Sequence, residues 1–430
     1  MTAPRYRAVK GTRDLLPPES ERWDAAERLG RELFRSHGYG EIRTPALEDT
    51  ALFARSVGET TDIVHKEMYT FPDRKGRSLT LRPENTAGVA RAIIENGLAA
   101  GPMPLRLYYM GQQFRYERPQ AGRYREFRQI GAELFGVPGP EAEAELLEML
   151  FEFLRSLGFQ KLSIALNSVG TAETRAAFGE AVREYLEPRA SAFGADERRK
   201  LAENPLRLLD SRDPAVREAL AGSPRVTDFL DAESREHHAR VRVLLTEAGV
   251  PHYEEPSLVR GLDYYTRTVF EVISKDLSAQ DAVLGGGRYD RLVESLGGPP
   301  LPAVGFAIGE DRLMQLAPYR AASRGLLLVL PQTREDLPDA FGVAREARRL
   351  GLAVEVDLLV RGFRKGMIRA NALYEGAGEL GWDPERLYAL FLGEAERARS
   401  TVTIKSLSSG EQETVPRAAL AEFLRARVPA

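Results

Sequence analysis

The 430-residue chain has no cysteine, which removes disulfide scaffolds, thiol nucleophiles and Cys-ligated zinc or iron–sulfur sites in one step. Histidine is scarce as well: His37, His65, His237, His238 and His252 are the five, with no H-E-x-x-H or comparable spacing, so no protein-held metal is expected. Long apolar runs are missing. No stretch approaches the ~18 apolar residues of a membrane span, and the N-terminal MTAPRYRAVKGTRDLLPP lacks the apolar core of a secretion signal. A cytoplasmic protein without a membrane partner is therefore expected. Phosphate-binding signatures are also absent: there is no G-x-x-x-x-G-K-[ST], and the triple glycine 285–287 does not extend to G-x-G-x-x-G, which argues against P-loop and Rossmann enzymes. Lysine is rare too, at eight of the sixty basic residues, the other fifty-two being arginine. Composition bias accounts for most of these, but arginine's planar fork binds phosphate and carboxylate as lysine cannot. The net charge of -3 gives no global basic field.

What is present is ordinary globular composition, 43% apolar and 29% charged, with room for about two to four domains. After Pro17 and Pro18, Trp23, Ala26, Leu29, Leu33 and Phe34 recur at helical spacing up to Gly38. A second helix is expected from about Glu84 to Glu95. LRLYYMG (105–111), QFRYER (113–118) and FRQIGAELFG (127–136) read as consecutive antiparallel strands, and Leu146, Leu147, Leu150, Phe151, Leu154 and Leu157 as the buried stripe of a long helix. Residues 170–250 are mostly helical and rich in Arg, Glu and Ala. Strand patterns return at VRGLDYYTRTVFEVIS (259–274) and end in GFAIGEDRLMQL (305–316). Beyond 323 the order is strand, helix (338–350), strand, helix (365–378), strand, a separate α/β domain.

Within the expected hairpin, Arg115, Arg118, Arg123, Arg125 and Arg128 crowd together. On a strand, Arg115 and Glu117 would share a face, an arrangement that can clamp a triphosphate; a solvated charged hairpin is the plainer alternative. LRPENTA puts Glu84 and Thr86 at a helix start, where Glu84 can accept from an ammonium group or cap the helix. VRGLDYYTRTVFE holds Arg260, Asp263, Tyr264, Tyr265 and Arg267 within eight positions, too polar for a plain buried strand. In GFAIGEDR, Arg312 opens a helix whose onset would itself favour an anion.

These segments resemble the histidyl-tRNA synthetases of class II. The fRxE hairpin, Thr44-Pro45 ahead of it and the late GFAIGEDR are similar to motifs 2, 1 and 3 of that class; RGLDYYTRTVFE and GGGRYD look like the two histidine signatures, and KGTRDLLP, LRPENT and ERPQAGRYREF match as well. The resemblance implies an α+β fold: an antiparallel-sheet class II catalytic domain (1–169 and 251–322) with a helical insertion (170–250), plus a C-terminal α/β anticodon-binding domain (323–430). It implies ATP with Mg²⁺, L-histidine and tRNA(His) as partners, and a homodimer.

Residue by residue, the resemblance puts catalytic charge on Arg115 and Arg260, either side of the ATP α-phosphate. Arg123 would take the outer phosphates, Glu117 and Phe127 the adenine, and Arg312 the nucleotide from the other side. Glu84, Thr86 and Gln129 would hold the α-ammonium of histidine; Glu133, Tyr264, Tyr265 and Tyr289 would line the imidazole pocket. Asn85, Glu126 and Arg128 depart from the family pattern: Asn85 stands where glycine is usual and is expected to tolerate a left-handed turn, while Glu126 and Arg128 are expected to alter contacts to adenine. Residues 325–430 carry fifteen basic and fifteen acidic groups, yet Arg361, Arg364, Lys365 and Arg369 gather around Phe363, a cluster suited to single-stranded RNA. The competing expectation is a non-catalytic, histidine-sensing regulatory subunit of ATP phosphoribosyltransferase, which lacks a C-terminal domain and the signature arginines.

Overall fold

The computed structural model describes all residues except 1–5, 59, 60, 62, 119–121, 210, 212, 261, 263, 275–281, 320–323, 379 and 428–430; Asp263 therefore lies outside the described residues. The chain forms two compact units, one of residues 1–14 and 27–319, the other of 15–26 and 320–430. Among the described residues no helix is long and apolar enough to cross a membrane.

Among the described residues the first unit holds eleven strands: β1 (Gly40–Glu41), β2 (Leu47–Asp49), β3 (Tyr69–Pro72), β4 (Ser78–Leu81), β5 (Leu105–Phe114), β6 (Glu126–Phe135), β7 (Leu162–Ser168), β8 (His252–Glu254), β9 (Thr266–Ser274), β10 (Ala282–Arg288) and β11 (Ala303–Gly309). Eight form one sheet, ordered β1-β5-β6-β11-β10-β9-β7-β8, and β2-β4-β3 form a small second sheet. The large sheet is antiparallel from β5 to β7, with parallel pairs only at its edges, β1 on β5 and β8 on β7.

Strands β5 and β6 pair over ten residues, Leu105 with Phe135 through Phe114 with Glu126. Side chains alternate across this ribbon. One face buries Tyr108 and Phe306 against Phe34 of helix α1 (Glu19–Ser36), with ring centroids 5.4 and 6.3 Å from Phe34. The opposite face carries Tyr109, Gln113, Phe127, Gln129 and Glu133. Two further helices, α2 (Thr50–Val57) and α3 (Thr86–Glu95), lie along the chain before β5. Helix α4 (Glu141–Ser156) buries Leu146, Leu147, Leu150, Phe153 and Leu154 and ends before Gly158, whose φ of +93° suits glycine.

Between β7 and β8 the chain is helical: α5 (Ala172–Leu186), α6 (Ala195–Glu203), α7 (Pro214–Ala219) and α8 (Ala232–Glu247), with short 3₁₀ turns. Thr171, Asp213 and Asp231 cap α5, α7 and α8 by accepting from backbone N–H groups. Phe178, Val182, Leu186, Leu201, Leu208 and Val216 give these helices a core of their own. Helices α9 (Leu292–Ser295) and α10 (Glu310–Leu316) follow β10 and β11.

In the second unit, β12 (Arg324–Pro331), β13 (Ala353–Val356), β14 (Trp382–Leu392), β15 (Thr401–Ser406) and β16 (Gln412–Pro416) are ordered β13-β12-β14-β15-β16. The first three are parallel, linked through α11 (Leu337–Arg349) and α12 (Gly362–Glu375). The unbroken apolar run of β12 reflects cover on both faces: Leu327 and Val329 meet Val343 and Ala347 of α11, while Leu328 and Leu330 meet Ala370 of α12. The alternation of strand and helix is as expected from sequence, but β15 and β16, an antiparallel pair after it, were not legible there.

The expected fold class is correct, and several local expectations are not. Residues 105–114 form one strand rather than two, and 115–118 lie beyond it. Tyr116 N donates to Glu67 O and Glu117 N to Arg115 O, a tight turn that peels the chain off the ladder, so Arg115 and Glu117 do not share a strand face. Likewise the strand expected from 259 begins only at Thr266.

Candidate active site

A cleft of about 730 Å³ opens on the Gln129–Glu133 side of the large sheet. Arg115, Glu117 and Arg123 line it from the loop after β5, and Arg260 and Tyr265 from the segment before β9. Arg175, Lys200 and Arg207 of the helical segment form another wall. Cations outnumber the two carboxylates present, Glu67 and Glu117, so the cleft attracts anions.

Arg260 Nη1 donates to Glu271 Oε1 of β9 at 2.6 Å, and its Nε is buried without a protein partner. The glycine-rich strand β10 makes this possible. A Cβ on Gly285 would lie 2.4 Å from Arg260 Nη1, and one on Gly287 would lie 2.7 Å from the Tyr265 ring, so glycine here is a matter of clearance. Arg115 Nε donates to Pro83 O at 2.8 Å while its guanidinium lies 5.3 Å from the centre of the Phe127 ring. Glu117 stands 3.8 Å from both Arg115 and Arg123.

Beneath the cleft, Glu133 is buried among hydroxyl groups. Its Oε1 accepts from Thr86 Oγ1 at 2.8 Å and from Tyr109 OH at 3.2 Å, and its Oε2 accepts from Tyr289 OH. When ionised, the carboxylate has about four acceptor sites, so one remains for a further donor. Burial pushes the Glu133 carboxyl up to about 8, against the pull of the three hydroxyls. Burial likewise raises Tyr109, Tyr264, Tyr265 and Tyr289, which keeps these phenols neutral and able to donate. Tyr264 packs edge-on to Tyr289 with ring centres 5.5 Å apart. Gln129, opposite Gly111 on the same face, has a buried Oε1 with no partner.

Glu84 realises the capping alternative: its two oxygens accept from the backbone N–H of Thr86 (2.7 Å) and Ala87 (2.9 Å), so α3 starts two residues later than expected. Burial raises its carboxyl, with the two N–H groups and Arg115 pulling it back. Asn85 has φ -112°, so no left-handed turn is needed; its Oδ1 instead accepts from Thr44 Oγ1 at 2.7 Å. Arg82 holds Thr44 through its carbonyl and hydroxyl oxygens, at 2.8 and 2.9 Å.

Arg128 does not share a face with Phe127. It projects from the opposite face of β6, where it meets Glu27 and Glu310, and Glu126 is an exposed residue at the start of the strand. The onset of α10 is not an anion site either, because Glu310 and Asp311 already occupy it. Arg312 follows them and donates from Nε to Ala282 O at 3.2 Å; it is not among the residues lining the cleft. In the second unit Arg361 pairs with the buried Asp357 through backbone and side chain, Arg369 pairs with Glu355, and Arg364 and Lys365 are exposed beside Phe363.

Tyr109 and Glu271 were missed from sequence. The signal for Tyr109 lay in the pairing: it sits directly opposite Gly131, where any side chain would strike its ring.

The histidyl-tRNA synthetase family model matches residues 11–313. This chain belongs to the histidyl-tRNA synthetase family. It is 44% identical to a histidine–tRNA ligase of Koribacter versatilis, over 97% of this chain and 96% of that one. It is 45% identical to the one from Halorhodospira halophila, over 99% of both. The apo structure of S. aureus histidyl-tRNA synthetase superposes with a TM-score of 0.78 at 33% identity, covering 97% of this chain and 99% of the other. The likeness to these ligases extends over both units of the chain, including residues 320–430 of the second, which lie beyond the family model.

Proposed function

We propose that this chain is a histidine–tRNA ligase, which activates L-histidine with ATP and transfers it to the 3′ end of tRNA(His). The observation that carries the reading is the cleft that brings Arg115 and Arg260 together with Tyr265. In the first step a histidine carboxylate oxygen bonds to the α-phosphorus while the bond to the bridging oxygen breaks, and pyrophosphate leaves with that electron pair. Two anions meet in this displacement, so fixed positive charge is needed rather than a base. Arg115 and Arg260 would supply it, and the unpartnered Nε of Arg260 leaves a donor for an incoming oxygen.

Arg123 would hold the outer phosphates, Glu117 and Phe127 the adenine, and Arg312 the nucleotide from the side of α10. The divalent ion arrives as part of MgATP; among the described residues no group of three or more His, Asp or Glu is arranged to hold a metal. Glu84, Thr86 and Gln129 would receive the α-ammonium, for which the unpaired Gln129 Oε1 provides an acceptor. Glu133, with Tyr264, Tyr265 and Tyr289 around it, would accept the imidazole N–H. A site of paired buried polar groups rejects apolar analogues by 10⁴ or more.

The reading divides the chain into catalytic parts (1–169 and 251–322), an inserted helical domain (170–250) and an anticodon-binding domain (323–430), working as a cytoplasmic homodimer. Arg361, Arg364 and Lys365 would contact tRNA(His). The regulatory-subunit alternative is disfavoured by the presence of Arg115, Arg260 and Arg312 in the sequence and by the presence of the second unit. Charging of purified tRNA(His) with radiolabelled histidine tests the proposal; ligation is expected with tRNA(His) and not with other tRNAs, and no charging of any tRNA would refute it.

A further inference from the structure

We propose that Arg128 is a positioning residue for Arg312: it clamps the head of α10 to β6 and so fixes where Arg312 enters the nucleotide site. The inference rests on the reading of Arg312 as an ATP contact. Helix α10 has only seven residues, too few to hold its own direction in water, so its anchorage must come from elsewhere. Its first two residues are both tied to Arg128. Arg128 Nε donates to Glu310 Oε2 at 3.1 Å, and the Arg128 backbone N–H donates to Asp311 Oδ2 at 3.2 Å.

Arg128 and Asp311 are themselves held by further partners, while Glu310 Oε1 is buried with none. Arg128 Nη2 also reaches Glu27 Oε1 of α1 at 2.6 Å, and Arg31 takes the other Glu27 oxygen at 2.6 Å. Arg13 closes on Asp311 Oδ1 at 3.3 Å. Glu310 is fully buried, and a buried carboxylate keeps one geometry only while its cation is present. The two carboxylates also suit the positive end of the helix.

The next residue is Arg312, and the same helix abuts the loop that carries Arg123: a Cβ on Gly122 would lie 2.9 Å from Gln315 Oε1 and 3.7 Å from Arg312 Cα. The clamp is on the face of β6 opposite Gln129 and Glu133, so loosening it should shift nucleotide contacts while sparing the histidine pocket. That asymmetry separates positioning from general stability.

The test is histidine-dependent ATP–pyrophosphate exchange by the full chain with Arg128→Met, Arg128→Lys, Arg128→Met/Glu310→Gln and Arg312→Ala, each with its thermal midpoint. Arg128→Met should raise the KM for ATP about tenfold to a hundredfold, the scale of a misplacement near 1 Å, while the KM for histidine stays within about twofold. Arg128→Lys keeps a cation without the fork and should show the same split more weakly. Glu310→Gln added to Arg128→Met removes the stranded carboxylate, and should restore the thermal midpoint but not the ATP KM. The inference is overturned if the two KM values rise together, if the ATP KM is unchanged, or if it recovers with the midpoint. If Arg312→Ala leaves the ATP KM unchanged, the reading of Arg312 itself fails; if only the Arg128 variants are silent, that reading stands and the positioning role falls.

Discussion

Tyr289 donates its hydroxyl to Glu133, reaching from the end of β10 across β11 to β6. This bond ties the second histidine signature to the strand that follows the motif 2 arginines. Tyr289→Phe removes one of three donors to a buried carboxylate, at a cost of about 1–3 kcal/mol. Chemical denaturation should show that loss, and the KM for histidine should rise while that for ATP does not.

Glu133 also gives a pH signature. Its carboxyl is raised to about 8 by burial, from an unfolded value near 4.5, so between those values the folded state binds the extra proton. Stability from this group therefore falls as pH rises, by up to about 1.4 kcal/mol per unit, and levels off above 8. Glu133→Gln does not titrate. The difference in thermal midpoint, variant minus wild type, should grow in favour of the variant from pH 5 to 8; a constant difference would show that Glu133 is ionised throughout.

Two glycines of β10, Gly285 and Gly286, should separate function from folding. The three atoms nearest a methyl at Gly285 all belong to the guanidinium at the end of the Arg260 side chain, so Gly285→Ala should displace that group, fold with a nearly unchanged midpoint and lose adenylation by ~10². A methyl at Gly286 lies 2.2 Å from the Gly305 carbonyl oxygen, which cannot move cheaply, so Gly286→Ala should lower the midpoint strongly. Thermal scans alongside pyrophosphate exchange check both.

Arg260→Ala should reduce adenylation by 10² to 10³ while histidine still binds, measurable by calorimetry without ATP. Near-normal exchange would show that the charge at the α-phosphate comes from elsewhere.

The helices and the parallel core of the second unit were legible because their apolar spacing is set by burial: the stripe of α4 and the LLLVL run of β12 are examples. The boundaries around the site were not. Arg115 still donates its N–H to Arg125 O across the hairpin, and the chain turns away only with Tyr116 and Glu117, whose N–H groups donate to Glu67 O and Arg115 O. Arg128 does not share the face of Phe127 and Gln129, because side chains alternate along a strand and it stands between them, opposite Gln112 of the neighbouring β5. Glu84 offered capping or ammonium binding, and its two backbone donors make it a cap whatever else it does. Glu271 could not be singled out at all, since an acid in a strand points to nothing until the arginine it pairs with is known.

The most direct test of the account is ATP–pyrophosphate exchange by the purified chain with each of the twenty amino acids supplied in turn. Histidine alone should drive exchange. Exchange driven by another amino acid would contradict the assignment of the Glu133 pocket to imidazole, and exchange with none would contradict ligase activity itself.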